Sequence, residues 1–583
     1  MSEPDEIAPA GRRIAGDASD ARLSREGGDK GLSLSERLSH AIHRIQEGSP
    51  LHKMRLKGQF PLKLLAAPLD PIDGERTAGE ALARDGMLVH AGHSASMRDF
   101  VAELATAPAA WRDWGHGFAM LRDLATAVDR VEGARLAEKL TRAWLESFAE
   151  FEPAAWRPDL AGTRILMWCC HAPWILASND LVHRSAVLNH LARAARHLDR
   201  AHDKTADGLP RLHAIAGLLT AGLLLPGGEA RQAKAEALLA RTLDLTLLPD
   251  GGIVSRSPLD ALELLELLLT LNAVYTKRSL RPAEALSAAI PRAVAGLKAL
   301  QLGDGQLTAM HGSVAGLGER VERAITASGA MERATRNGRW SGVQRLSAGR
   351  TTIIVDAGPP PIARVSDCAH AGTLAFEMSD GSERLIVNCG GGRGLVTPLP
   401  GQLSALLRTT AAHSTLVVDD TNSTRIRDDG ALGRGVEEVI VSRQESEEGA
   451  WVEASHDGYA KKTGLLHVRR LYLSADGADF RGEDALRPAK AGSKRKGAGH
   501  RFDLRFHLAP GIDVAPTADG QGALLQLPNG SVWQFRGRGG TLAIDESVVI
   551  QPDGAMGRTQ QLVLSGETGA DGASIAWSLR RAR

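Results

Sequence analysis

Residues 367–377 read D-C-A-H-A-G-T-L-A-F-E, and two later stretches share their character: L-I-V-N-C-G-G-G at 385–392 and R-T-T-A-A-H-S-T-L-V-V-D-D at 408–420. Each is a short apolar run bounded by Gly, Asp or Ser, the pattern of a strand between turns. Each carries one imidazole or amide: His370, Asn388 and His413. On neighbouring strands of one sheet, those three groups converge on one point. Two neutral imidazoles and a carbonyl oxygen then form a candidate site for zinc or another divalent ion. The alternative is a set of hydrogen bonds inside the sheet with no metal.

The same strand pattern extends in both directions. It begins at about residue 338, with T-T-I-I-V-D-A-G, and returns in V-E-E-V-I-V-S, L-H-V-R-R-L-Y-L, F-D-L-R-F-H-L and S-V-W-Q-F. Asp380-Gly381, Asp476-Gly477 and Asn529-Gly530 are hairpin signals, because both residues tolerate the positive φ of a tight turn. Residues 338–583 are therefore expected to be an antiparallel β-sandwich. A basic stretch, R-P-A-K-A-G-S-K-R-K-G-A-G-H, reads as a mobile loop within it.

Upstream, from about 100 to 335, Ala and Leu dominate and apolar residues recur at helical spacing. Leu136, Leu140, Trp144 and Phe148 share one face, as do Leu212, Ile215, Leu219 and Leu223. Ser257-Pro258 opens a further helix, with Ser as cap and Pro at the first turn. The run after it is apolar around most of its circumference, which predicts burial on several sides. Long helices with short loops form antiparallel hairpins, and the absence of a fixed repeat favours a closed or horseshoe α/α toroid over 46–337. Residues 1–45 are polar and aperiodic and read as a disordered tail. The fold class expected is thus α+β and multidomain: an N-terminal α/α toroid of helical hairpins, then a C-terminal antiparallel β-sandwich.

Composition narrows function. The 583 residues carry 70 Lys plus Arg against 69 Asp plus Glu, so the basic excess on which nucleic-acid binders depend is missing. Four cysteines in so long a chain make no disulfide framework. Cys169 and Cys170 read as buried thiols, whereas Cys368 and Cys389 flank the His370 segment. The opening residues show no apolar signal region and nothing reaches membrane-spanning length, which predicts a cytoplasmic protein.

A helical toroid followed by a sandwich with A-H-A-G-T-L-A-F-E, V-N-C-G and T-A-A-H-S-T-L-V-V-D-D resembles the heparinase II/III family of polysaccharide lyases. S-H-D-G-Y at 455–459 and H-V-R-R-L at 467–471 add to the resemblance. It implies β-elimination on a uronic-acid glycan bound between toroid and sandwich, an acidic polysaccharide or oligosaccharide partner, a Zn2+ cofactor with no nucleotide cofactor, and a periplasmic or cell-envelope setting as the alternative location. Such chemistry needs a group that neutralises the uronate carboxylate, a base for the α-proton and an acid for the leaving oxygen. In the family pattern D-H-G-H the second His matches His370, while Cys368 stands where the first His is expected. The zinc-binding Asp matches Asn388 and the last His matches His413. The toroid Asn-His pair falls near Leu209-Pro210, and the toroid Tyr near Leu259 or Asp260.

Substitutes for those missing groups follow from residue type. His370, with Tyr459 and His456 in a Gly-containing loop, are the candidate catalytic residues; turn-stabilising hydrogen bonds are the alternative for the last two. Arg408, Arg256 and Arg393 are candidates for a substrate carboxylate, since a guanidinium fork matches it bidentately. Trp111, Trp114, Trp156, Trp168 and Trp174 offer either sugar-stacking platforms or core packing. His311 is a further candidate for the interdomain cleft, and His507 reads as a strand residue. A toroid glycoside hydrolase would need two carboxylates across the cleft, from Asp113, Glu263 or Asp304. The remaining possibility is a non-catalytic descendant that binds a glycan or a protein partner.

Overall fold

The computed structural model describes residues 19–25, 38, 54–58, 60–395, 399–489 and 499–582. The toroid is built where helical periodicity predicts it. The helix Arg130–Phe148 starts at Asp129, whose carboxylate accepts from the amides of Val131 and Glu132 at 2.8 and 3.1 Å. Leu209–Leu224 and Pro258–Lys277 are buried around nearly their whole circumference, as their apolar runs require. Ser257 precedes the latter helix but does not cap it. Ser313 caps it instead, its Oγ accepting from the Leu259 amide at 3.0 Å.

Aromatic packing fills the toroid. Trp111, Trp144, Trp156 and Trp168 are buried, and Trp144 meets Trp168 edge-on at 5.8 Å. Trp114 is closed off against His90, and Trp174 packs directly over Gly133. These tryptophans pack within the toroid and form no exposed stacking platform.

The second half is a sandwich of two antiparallel sheets. One has nine strands in the spatial order Ser19–Ser24, Glu438–Ser446, Gly449–His456, Leu465–Ser474, Asp479–Pro488, Ala573–Arg581, Val532–Arg538, Gly522–Gln526 and Asp513–Pro516. The other runs Thr541–Ile550, Met556–Glu567, Arg501–Leu508, Glu383–Val387, Phe376–Asp380, Thr351–Asp356 and Val343–Ala348, with Leu416–Val418 paired to Arg501–Leu508 off this path. The three pairs Asp380-Gly381, Asp476-Gly477 and Asn529-Gly530 sit in hairpin turns, with Gly381, Gly477 and Gly530 at φ of 59°, 71° and 83°. His507 lies in a strand, as expected.

Part of the tail expected to be disordered is ordered. Residues 19–24 form the first strand of the nine-stranded sheet, because alternate side chains, Leu23 above all, enter the sandwich core. The rest of the segment read as a tail lies almost wholly outside the described residues, as do residues 490–498 of the basic stretch.

Ion pairs stitch toroid to sandwich: Arg364 to Asp207 at 3.0 Å, Arg384 to Asp304 at 2.7 Å, and Arg256 to Asp356. No helix among the described residues is long and apolar enough to cross a membrane.

Candidate functional site

The three segments that opened the sequence reading do meet at the face of the sandwich turned toward the toroid. His370 Nδ1 lies 3.1 Å from His413 Nε2, and the rings stand edge to face at 5.1 Å. His413 Nδ1 is 2.7 Å from the Thr409 carbonyl. A carbonyl only accepts, so His413 carries its proton on Nδ1 and offers the Nε2 lone pair to the Nδ1–H of His370. Both rings are buried and neutral: burial lowers His413 to about 4, and burial together with His413 and His311 lowers His370 well below the ordinary range. Gly372 makes the arrangement possible, since a Cβ there would fall 2.5 Å from the His413 ring.

Asn388 does not complete a metal centre. Its Nδ2 donates to Glu377 at 3.0 Å and its Oδ1 accepts from the Ser414 amide at 2.9 Å, so both ends of the amide serve the sheet. Among the described residues there is no group of three His, Cys, Asp or Glu side chains placed to hold a metal. Two neutral imidazoles sharing a proton, with no anionic donor, do not fit a zinc site, which takes four ligands and gains most from charged ones. The metal expected from His370, Asn388 and His413 is therefore not supported by the donors present. Metal analysis of the purified protein and of His370→Ala should give the same substoichiometric zinc content. Chelator dialysis should leave the melting temperature within about 1 °C, in contrast to proteins whose folding depends on metal.

His311 is drawn into this cluster from the toroid–sandwich junction. Its Nδ1 accepts from the His370 amide at 3.3 Å and its Nε2 faces Asp356 at 3.1 Å. Burial alone would raise the Asp356 carboxyl, but Arg256 and His311 outweigh it and hold it at about 2. Arg256 is thus consumed by Asp356 and the Ser341 carbonyl, not free for a substrate. Asp356 escaped the sequence reading; the available signal was a lone acid closing the apolar run T-T-I-I-V-D.

Arg408 is likewise committed, donating from two nitrogens to the Ala369 carbonyl at 3.0 and 2.9 Å. His456 and Tyr459 belong to the interior of the sandwich. The Tyr459 hydroxyl donates to the Leu416 carbonyl at 2.8 Å, and His456 Nε2 lies 3.3 Å from His467 Nδ1. Both side chains are buried, so the substrate-facing roles expected for them give way to the turn- and core-stabilising alternative.

Arg393 lies where the sandwich meets the toroid. It pairs with Asp260 and, at 3.4 Å, with Glu263, both on the toroid helix Pro258–Lys277. Burial pushes the Glu263 carboxyl up to about 7 and the Arg393 guanidinium down to about 10. Glu263 nevertheless keeps 31% of its side-chain surface open, so it is not sealed in the core. Cys368, its thiol pushed up by burial, lies 3.7 Å from the His311 carbonyl and 3.9 Å from Arg393. Cys389 lies beside His507 instead, and all four cysteines are free thiols. Leu209 is buried at the start of its helix, and Leu259 packs against Gly394.

Comparison with known proteins agrees with this architecture. The family described as Heparinase II/III-like, C-terminal matches residues 330–578. Over 594 residues the chain is 29% identical to FtsZ-localized protein C of Caulobacter vibrioides (strain NA1000 / CB15N), covering 98% of this chain and 99% of that protein. Among solved structures, heparinase III superposes with a TM-score of 0.69 at 13% identity, over 95% of this chain and 93% of that one. Heparan sulfate lyase HepC from Pedobacter heparinus gives 0.58 at 13% identity, over 94% and 88%. The chain therefore has the heparinase II/III-family fold, and residues 330–578 belong to the heparinase II/III-like C-terminal family.

Proposed function

We propose that this chain is a non-catalytic descendant of the lyase fold that acts as a binding protein, with FtsZ as its partner. The partner comes from the name of the full-length relative, FtsZ-localized protein C. The observation that carries the non-catalytic part is the Arg393 bridge to Asp260 and Glu263, which ties sandwich to toroid where elimination would need open proton-transfer groups.

The supply of acids and bases supports the same reading. The chain has three tyrosines, and each hydroxyl is committed elsewhere: Tyr275 to Glu236, Tyr459 to Leu416 and Tyr472 to Glu448. His370 is spent on His413, and His311 on Asp356. Leu209, Pro210 and Leu259 bring no titratable group to the positions from which the toroid would act, and Asp260, the alternative to Leu259, is paired with Arg393. A base and an acid each contribute about 10²–10⁴-fold, so losing both leaves no useful elimination rate.

Glu263, a partly open carboxyl that burial raises to about 7, favours a second reading: an eliminating or hydrolytic enzyme that uses this carboxyl. One set of experiments separates the two. Purified protein should sediment with FtsZ polymers. It should produce neither unsaturated uronate absorbance nor new reducing ends from heparan sulfate, hyaluronan or alginate. Cys368→His should gain no elimination, because restoring one imidazole leaves the toroid groups missing. Product formation by the parent that Glu263→Gln abolishes would overturn the non-catalytic reading, and failure to sediment would remove FtsZ as the partner.

A further inference from the structure

The edge of the nine-stranded sheet is completed by residues that precede the toroid, with Arg22 and its partner Glu438 separated by 416 positions in the chain. We propose that this edge is a strand-acceptor site, filled in cis by residues 19–25, which recognises an extended peptide carrying a leucine and, two residues later, an arginine.

The register is continuous from Ser19 opposite Arg443 to Ser24 opposite Glu438. Leu23 enters the sandwich core, while Asp20, Arg22 and Ser24 face outward. Beyond the strand the chain is pinned by the Arg25 amide, which donates to the Glu437 carbonyl at 2.8 Å. The Arg25 side chain is 7% exposed and enters a socket of main-chain carbonyls: Gly433 at 2.7 Å, Pro361 at 3.1 Å and Leu432 at 3.3 Å. Acceptors set in several directions suit the planar fork of a guanidinium and not the point charge of an ammonium. Main-chain pairing supplies affinity and the leucine and arginine positions supply selectivity, which is the logic of strand addition to a sheet edge.

Its place at the edge makes this strand the exchangeable one. It pairs with one neighbour only, whereas Glu438–Ser446 is held on its other side by all eight residues of Gly449–His456. A segment with one paired side opens more often than one with two.

The test uses the full chain and a labelled peptide of residues 17–27, D-A-S-D-A-R-L-S-R-E-G. The double variant Leu23→Asp, Arg25→Ala should release its own strand and bind the peptide about ten-fold or more tightly than the parent, whose site is occupied in cis. Alanine or lysine in place of the peptide's last arginine should abolish that binding. In the parent, amides of residues 438–446 bonded to residues 19–24 should exchange hydrogen about ten-fold or more faster than those bonded to 449–456. A folded variant that ignores the peptide overturns the proposal, as does a parent that binds it equally well. Equal exchange on both sides also overturns it, and that comparison decides alone if the variant does not fold.

Discussion

Asp484→Ala will cost the sandwich about 3–5 kcal/mol, lowering its melting temperature by roughly 10 °C in a domain of this size. Asp484 is wholly buried and accepts three hydrogen bonds: from Arg469 Nε and His467 Nε2, each at 2.7 Å, and from Trp577 Nε1 at 2.9 Å. Removing it strands the buried Arg469 without its counter-charge, and an uncompensated interior cation costs far more than the lost bonds. The damage should reach the candidate site, because Arg469 also donates to the Leu374 and Ser414 carbonyls on the segments that carry His370 and His413. Asp484→Asn, which keeps an acceptor, should lose less.

The pH dependence follows the same chemistry. Burial pushes Asp484 up, but Arg469 and His467 prevail and hold it far below the ordinary carboxylate range; Asp356 is held at about 2 in the same way. A depressed carboxyl contributes stability above its unfolded value and loses it as pH falls toward the folded one. The parent should therefore lose stability below about pH 4, and for Asp356 the loss is complete only near pH 2. Asp484→Ala should show a shallower acid limb. An unchanged acid limb and melting temperature would show that the network does not hold the sandwich together.

Gly217→Ala should destabilise the toroid by about 3 kcal/mol, although alanine is the better helix former by about 1 kcal/mol. The helices Pro158–Cys170 and Leu209–Leu224 cross with their backbones in contact. A Cβ on Gly217 would sit 2.3 Å from the Gly162 Cα, and one on Gly162 only 2.1 Å from the His213 carbonyl. Both obstacles are main chain, so neither can rotate away, and the helices must separate. Gly401→Ala, at a position with open space around the added methyl, serves as the control and should be neutral. Thermal unfolding followed by circular dichroism distinguishes them. Equal melting temperatures for the two variants would refute the close crossing.

Much of this architecture was legible along the chain. Period-3.6 runs gave the toroid helices, and the Asp-Gly and Asn-Gly turns placed three hairpins. His370 and His413 were correctly brought together, because each sits on a short apolar segment of the same sandwich. What each polar group does there was not legible. Asn388 looked like a ligand and binds Glu377; Tyr459 and His456 looked like a catalytic loop and lock the interior; Arg256 looked free and is held by Asp356. The polar strand Ser19–Ser24 looked unstructured, since its one deeply buried apolar residue finds its place only on an edge formed late in the chain.

By itself, then, the sequence determined which segments are helices and strands, where they turn and which faces are apolar, because those properties depend on residues a few positions apart. Only the tertiary structure decided which lone pairs and charges are already spent. A side chain's partner, often some hundred residues away, sets whether it can act on anything else.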